Sequence, residues 1–217
     1  MNQKNIKIKV CGMRDGKNIR EVAQLHPHYM GFIFYATSPR FVGNDFKIPE
    51  DFPKDTQRVG VFVNETNEVM LQMISRHQLD YVQLHGNETV EQCRILKQRG
   101  VGVIKVFSID ERMDFGVTTP YQEVVDFFLF DTKGKYFGGN ARTFNWKILK
   151  TYDQKIPFFL SGGITPENIH EIGDLVEMNL EGIDVNSGVE IQPALKDLNK
   201  IRTIKSVLIS KTLTNEL

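Results

Sequence analysis

Two short stretches late in the chain have the composition of a phosphate-binding site. Phe158-Phe159-Leu160 runs into Ser161-Gly162-Gly163, and Ile183-Asp184-Val185 runs into Asn186-Ser187-Gly188. Each is a short apolar strand, a turn of small residues, then a helix start. After the first turn Thr165 is suited to cap the helix, and Pro166 sits where its missing N–H costs nothing. Glycines in such turns let backbone N–H groups approach a ligand, and a helix N-terminus adds partial positive charge. Together they hold a phosphate without a lysine. Taken singly, each is equally an ordinary turn that needs glycine for its geometry. Two in succession favour a cradle.

The titratable residues that could act on a held ligand are Cys11, His85, Lys105, Asp131 and Asp184, with Arg40 in a polar loop. Cys11 precedes a glycine. Lys9, two positions earlier, shares its face of a strand and would favour the thiolate. The alternative is a buried, inert thiol, which suits Cys93 on an apolar helix stripe. Asp131 ends the apolar run 127–130 and precedes a glycine-rich loop, which it could equally serve to hold. Arg40 follows Ser38-Pro39; its fork suits a carboxylate, or it is a plain surface arginine. His85 and Asp184 are candidate ligand contacts, each against a structural alternative: a hydrogen-bonder at a strand end, and the anchor of a turn. A thiol, carboxylates and a cation around one opening suit proton transfer on a phosphorylated substrate.

These residues share an opening only if the strands bring them there. Near-continuous apolar runs read as strands at 6–10, 29–34, 58–63, 81–84, 103–106, 127–130, 158–160 and 183–185. Such runs suit strands buried on both faces of a parallel sheet. Helical spacing follows at 15–25, 68–77, a stretch capped by Asn87 that carries Val90, Cys93 and Leu96, 144–149, and 195 to about 208. Pro49 and Pro53 interrupt the helix signal after the second strand, and 108–121 is the least defined segment. Eight evenly spaced strand–helix units predict a single-domain (β/α)8 TIM barrel over residues 1–217 rather than an open doubly wound sheet. In such a barrel the C-terminal strand ends face the active site, and a phosphate site commonly follows strands seven and eight.

Bulk composition narrows the partners. Lys+Arg and Asp+Glu both number 27 among 217 residues, with no basic block, which argues against nucleic acid and anionic membranes. Residues 1–9 are polar and charged, without the apolar core of a secretory signal, and no apolar run is long enough to span a bilayer. Two cysteines make no disulfide framework, so a cytoplasmic protein is expected. Five scattered histidines with no Cys/His spacing predict no metal. Assembly reads as monomer or homodimer.

Along its whole length the chain resembles the phosphoribosylanthranilate isomerases of tryptophan biosynthesis. The matching stretches are 9–13 (Lys-Val-Cys-Gly-Met), 31–34 with Ser38-Pro39-Arg40, 59–64, and 82–88 (Val-Gln-Leu-His-Gly-Asn-Glu). They continue with Phe130-Asp131-Thr132, Gly138-Gly139, 161–168 (Ser-Gly-Gly-Ile-Thr-Pro-Glu-Asn) and 182–190 (Gly-Ile-Asp-Val-Asn-Ser-Gly-Val-Glu). Any one is weak; all of them in this order is specific. The resemblance implies an Amadori rearrangement of N-(5-phosphoribosyl)anthranilate to 1-(2-carboxyphenylamino)-1-deoxyribulose 5-phosphate, with no cofactor. It implies Asp131 as the general acid that opens the ribose ring, and Cys11 as the general base at C2. A carboxyl in apolar surroundings suits the acid, and a thiol near a cation suits the base. Arg40 would hold the anthranilate carboxylate, and Gly139, Gly162, Gly163, Ser187 and Gly188 the phosphate. Two departures stand out: Ala141 where the family commonly has glycine, and Ser161 where it commonly has alanine. Related barrels with the same cradle fit less well. Indole-glycerol-phosphate synthases use lysine and glutamate, sugar-phosphate epimerases use histidines and a metal, and a barrel that only binds needs neither Cys11 nor Asp131.

Overall fold

The computed structural model describes residues 6–132 and 145–213. Eight parallel strands close into a barrel in chain order: β1 (Lys7–Val10), β2 (Tyr29–Ile33), β3 (Gln57–Phe62), β4 (Tyr81–Leu84), β5 (Gly102–Ile109), β6 (Phe127–Thr132), β7 (Phe158–Leu160) and β8 (Leu180–Val185). Closure comes from β8 pairing back onto β1, with Lys9 beside Asp184 and Val10 beside Val185.

Strand alternation explains why most of the strand residues are apolar. One set of side chains points into the barrel, where Tyr29, Val59, Ile104, Val106, Leu129 and Phe159 pack in its lower part and Cys11, Ile33 and Val61 above them. The other set, including Val10, Phe32, Val82, Phe128 and Val185, packs under the surrounding helices and turns. Both faces are dry, so little polarity is tolerated. Around β6 the outer layer is aromatic: Phe130 lies 5.1 Å from Tyr152 and 5.3 Å from Phe158, ring centre to ring centre. Rings in such contact contribute about 0.5–1.5 kcal/mol beyond their burial, which steadies the strand that carries Asp131.

The helices start where capping side chains stand. α1 (Gly16–Ala23) begins at Asp15, whose carboxylate accepts from Asn18 N–H. α2 (Asn67–His77) begins at Thr66, and α3 (Val90–Gln98) at a reciprocal Thr89/Gln92 capping box. The expected cap at Asn87 is two residues early: its N–H bonds Asn64 Oδ1 in the loop before the helix. No helix lies between β2 and β3, as Pro49 and Pro53 suggested.

After β7 the chain forms a 3₁₀ stretch, Ile169–Glu177, rather than an α-helix. Its buried residues Ile169, Ile172 and Leu175 recur every third position, which is the 3₁₀ period. Thr165 does not cap it; Thr165 Oγ1 accepts from Glu167 N–H, and Asn168 precedes the stretch. Further 3₁₀ stretches cover Phe115–Tyr121, within the segment least defined by sequence, and Trp146–Thr151. After β8 a small antiparallel hairpin, β9 (Glu190–Gln192) with β10 (Leu195–Lys196), precedes α4 (Leu198–Leu213). The sequence pattern had merged β10 into that helix.

Candidate active site

One cleft opens at the C-terminal strand ends. Its lining includes Cys11, Arg40, His85, Asp131, Asp184, Gly162, Gly163, Ser187 and Gly188. Gly139, with the departure at Ala141, lies outside the described residues. The rest of the lining is Ile33, Tyr35, Ser38, Val61, Val63, Gln83, Ser161, Ile164 and Asn186.

The cradle is made by two turns pressed together. Gly162 and Gly163 have φ of 90° and 67°, a region that favours glycine. A Cβ on Gly188 would stand 2.0 Å from the Ile164 carbonyl oxygen, so only glycine lets the turn after β8 lie against the turn after β7. A single 3₁₀ turn, Ser187–Val189, starts there. The Ser161 hydroxyl lies 3.4 Å from Asp184 Oδ2, so its contact runs to the barrel carboxylate.

Asp131 sits near the end of β6, inward because Leu129 two positions earlier is inward. Its Oδ1 accepts the Thr132 N–H at 2.9 Å, and its Oδ2 is 3.3 Å from His85 Nε2. His85 Nδ1 in turn meets Gln83 Nε2 at 3.1 Å. Gln83 was not among the residues singled out from sequence. The signal for it was present: an amide at an inward position of β4, two before His85.

Across the cleft Cys11 is 3% exposed. Lys9 is fully buried below it, with its ammonium 2.7 Å from Asp184 Oδ1. Gly31 makes the room: a Cβ there would be 2.7 Å from Cys11 Sγ and 3.2 Å from Lys9 Nζ. Burial opposes the charge on Lys9, but Asp184 and Cys11 outweigh it and raise its pKa, so Lys9 stays an ammonium. Asp184 thus pairs with Lys9 rather than anchoring the turn that follows it, and still lines the cleft.

Lys9 favours the Cys11 thiolate, as expected, but a larger effect opposes it. Burial pushes the Cys11 pKa up, and the opposing pull of Lys9 does not offset it. Asp184 adds to the rise, and Lys196 opposes it. The balance favours the protonated thiol. Thiolate ultraviolet absorbance, taken as wild type minus Cys11→Ala, is expected to grow in only above the ordinary thiol value of about 8.5. The sign follows from the raised pKa: the proton leaves later, so ionisation moves to higher pH. A full signal at neutral pH would contradict it.

Arg40 is where it was expected but already has a partner, and Lys105 is not where it was expected. Arg40 lines the cleft, but Glu190 already grips its fork, with Nε to Oε1 at 2.9 Å and Nη2 to Oε2 at 2.7 Å. Glu190 also receives Lys196 Nζ at 2.7 Å. Burial works against the Glu190 charge, but Arg40 and Lys196 outweigh it and hold its pKa down. Burial pushes Lys196 down to about 8. Lys105 does not face the opening. Ile104 and Val106 point inward, so Lys105 points out. There it bonds Glu88 Oε2 at 2.9 Å and the carbonyls of Leu84 and Gly86. Glu88 also accepts the N–H groups of Asn64 and Gly86, tying the ends of β3, β4 and β5 together beside His85. Lys105→Ala leaves a buried carboxylate without its cation and should cost about 3–5 kcal/mol of stability. Denaturant unfolding checks this; a loss under about 1 kcal/mol would contradict it.

Among the described residues no group of three or more His, Cys, Asp or Glu is placed to hold a metal ion, and no helix is long and apolar enough to cross a membrane.

A closed parallel (β/α)8 barrel with its polar and titratable residues gathered at the C-terminal strand ends is the architecture of a barrel enzyme. The chain belongs to the N-(5'-phosphoribosyl)anthranilate isomerase family, whose model, N-(5'phosphoribosyl)anthranilate (PRA) isomerase, matches residues 8–206. It is 47% identical over 198 residues to the N-(5'-phosphoribosyl)anthranilate isomerase of Parabacteroides distasonis, covering 90% of each chain. The crystal structure of phosphoribosyl anthranilate isomerase from Thermotoga maritima superposes with a TM-score of 0.82 at 33% identity, covering 94% of this chain and 99% of that one. A phosphoribosyl anthranilate isomerase solved in complex with reduced 1-(o-carboxyphenylamino)-1-deoxyribulose 5-phosphate superposes with a TM-score of 0.79 at 31% identity over the same shares. The chain is thus an isomerase of the tryptophan-biosynthesis family, as its motifs indicated.

Proposed function

We propose that this enzyme rearranges N-(5-phosphoribosyl)anthranilate to 1-(2-carboxyphenylamino)-1-deoxyribulose 5-phosphate, with Asp131 as general acid and Cys11 as general base. The observation that carries the reading is that thiol, carboxyl and glycine turns line one cleft. A solved relative holding the reduced product adds support.

The phosphate lies against Gly162, Gly163, Ser187 and Gly188, with Gly139 a further contact. That end fixes the ribose between the two catalytic groups. Asp131 protonates the ring oxygen, the C1–O bond breaks, and the anthranilate nitrogen lends its electron pair to form the open-chain Schiff base. Cys11 then removes the C2 proton, and that electron pair shifts to give the enolamine. Tautomerisation to the ketone completes the reaction, with no net change of redox state. A thiol with a raised pKa supplies fewer thiolates at neutral pH, but each is a stronger base. Lys9 below Cys11 compensates the charge when it forms. Arg40 takes the anthranilate carboxylate with the part of its guanidinium that Glu190 leaves, or by exchange with Glu190. His85 meets the ligand beside Asp131. The setting is cytoplasmic, and neither nucleic acid nor membrane takes part.

The test is turnover of phosphoribosylanthranilate made in place from anthranilate and phosphoribosyl pyrophosphate by a coupling transferase, followed by loss of substrate fluorescence. Rapid loss is expected. No loss, with the reduced product analogue still bound, would overturn the reading in favour of a barrel that only binds.

A further inference from the structure

We propose that Gln83 is a positioning residue for the acid: it holds His85 in the tautomer that turns its N–H toward Asp131, so that the proton of Asp131 is left for the ligand. This rests on the acid role proposed for Asp131.

Gln83 is 1% exposed and points into the barrel, in register with Val61 of β3 and Ile104 of β5. Its Nε2 stands 3.1 Å from His85 Nδ1. An amide nitrogen only donates, so Nδ1 must accept, and a neutral ring then carries its proton on Nε2. That N–H lies 3.3 Å from Asp131 Oδ2. The other carboxyl oxygen, Oδ1, already accepts the Thr132 N–H. One oxygen thus accepts from the backbone and the other faces the protonated edge of the imidazole, which leaves the acid's own proton free of any acceptor on His85. In the opposite tautomer the bare Nε2 would accept the proton of Asp131, and an acid that protonates His85 cannot protonate a ring oxygen.

A second observation concerns the far side of the amide. Gln83 Oε1 is buried with no hydrogen-bond partner among the described residues. Leaving such a group unpaired carries the desolvation penalty of a lost hydrogen bond. A leucine would fill the place without that cost, so packing alone does not account for a glutamine there.

The experiment reads the tautomer directly, by imidazole nitrogen-15 NMR of the intact protein, with the His85 signal identified by its loss in His85→Gln. The wild type should show an unprotonated Nδ1 and a protonated Nε2. Gln83→Leu removes the lock; both tautomers become populated, and kcat falls on the order of tenfold with KM within about twofold. Gln83→Glu has nearly the same shape, but its carboxylate accepts. It should enforce the opposite tautomer and lower kcat on the order of 100-fold. A protonated Nδ1 in the wild type would overturn the proposal. So would an unchanged tautomer and kcat in Gln83→Leu with only stability lost. Should Gln83→Glu not fold, the wild-type spectrum and Gln83→Leu decide alone. A wild type without turnover would sink the activity reading, and the spectrum would still decide the tautomer.

Discussion

Cys11→Ala is expected to lower kcat by on the order of 1,000-fold. Affinity for the reduced product analogue should stay within about threefold of wild type, because the thiol contributes to the reaction rather than to ground-state binding. Stability should change little in comparison. The alanine fills most of the same volume in a pocket whose floor is the Lys9–Asp184 pair, which keeps its own 2.7 Å contact. Its one expected consequence there is that Lys9 loses a partner that raises its pKa, with Asp184 still beside it. Turnover assays and calorimetric titration together separate the outcomes. Unchanged kcat removes Cys11 from the chemistry; a parallel loss of binding and turnover would make it a packing residue.

Asp131→Asn is the second large effect, a loss of kcat on the order of 100- to 10,000-fold. The asparagine keeps an oxygen for the Thr132 N–H and nearly the same shape, but its amide then faces the N–H of His85, so stability should fall by about 1–3 kcal/mol. What it lacks is a proton to give the ring oxygen. The loss should therefore fall before the open-chain Schiff base, and no such intermediate should build up in a single turnover observed by rapid mixing. Accumulation of the Schiff base in this variant would put Asp131 after ring opening and contradict its role as the acid.

The barrel was legible because its strands are buried on both faces, which writes them as apolar runs between polar segments. Boundaries drifted where partners rather than composition decide. β6 continues through Thr132 because it pairs with β5 out to Ile109. β10 was read as helix because Leu195 and Leu198 happen to match the helical period, whereas Lys196 pairs across to Glu190. The cleft was legible to the extent that strand ends were. Applying strand alternation to β5 would have excluded Lys105, since Ile104 and Val106 take the inward positions. The same alternation applied to β4 would have found Gln83. What no local pattern carries is the balance around a buried group. Lys9 beside Cys11 suggested a thiolate, but the depth of the pocket reverses that direction. Likewise the fork of Arg40 was read as suited to a carboxylate, and the one it meets is Glu190, far away in sequence.

The division of labour between acid and base is tested most directly by the isotope effect of deuterium at C2 of the substrate, compared between Cys11→Ser and Asp131→Asn. Weakening the base makes C2 proton removal the slow step, so Cys11→Ser should show a large primary effect on its residual turnover. Weakening the acid makes ring opening slow, so Asp131→Asn should show almost none. Equal effects in the two variants, or the reverse order, would contradict the assignment of Asp131 to ring opening and Cys11 to proton removal.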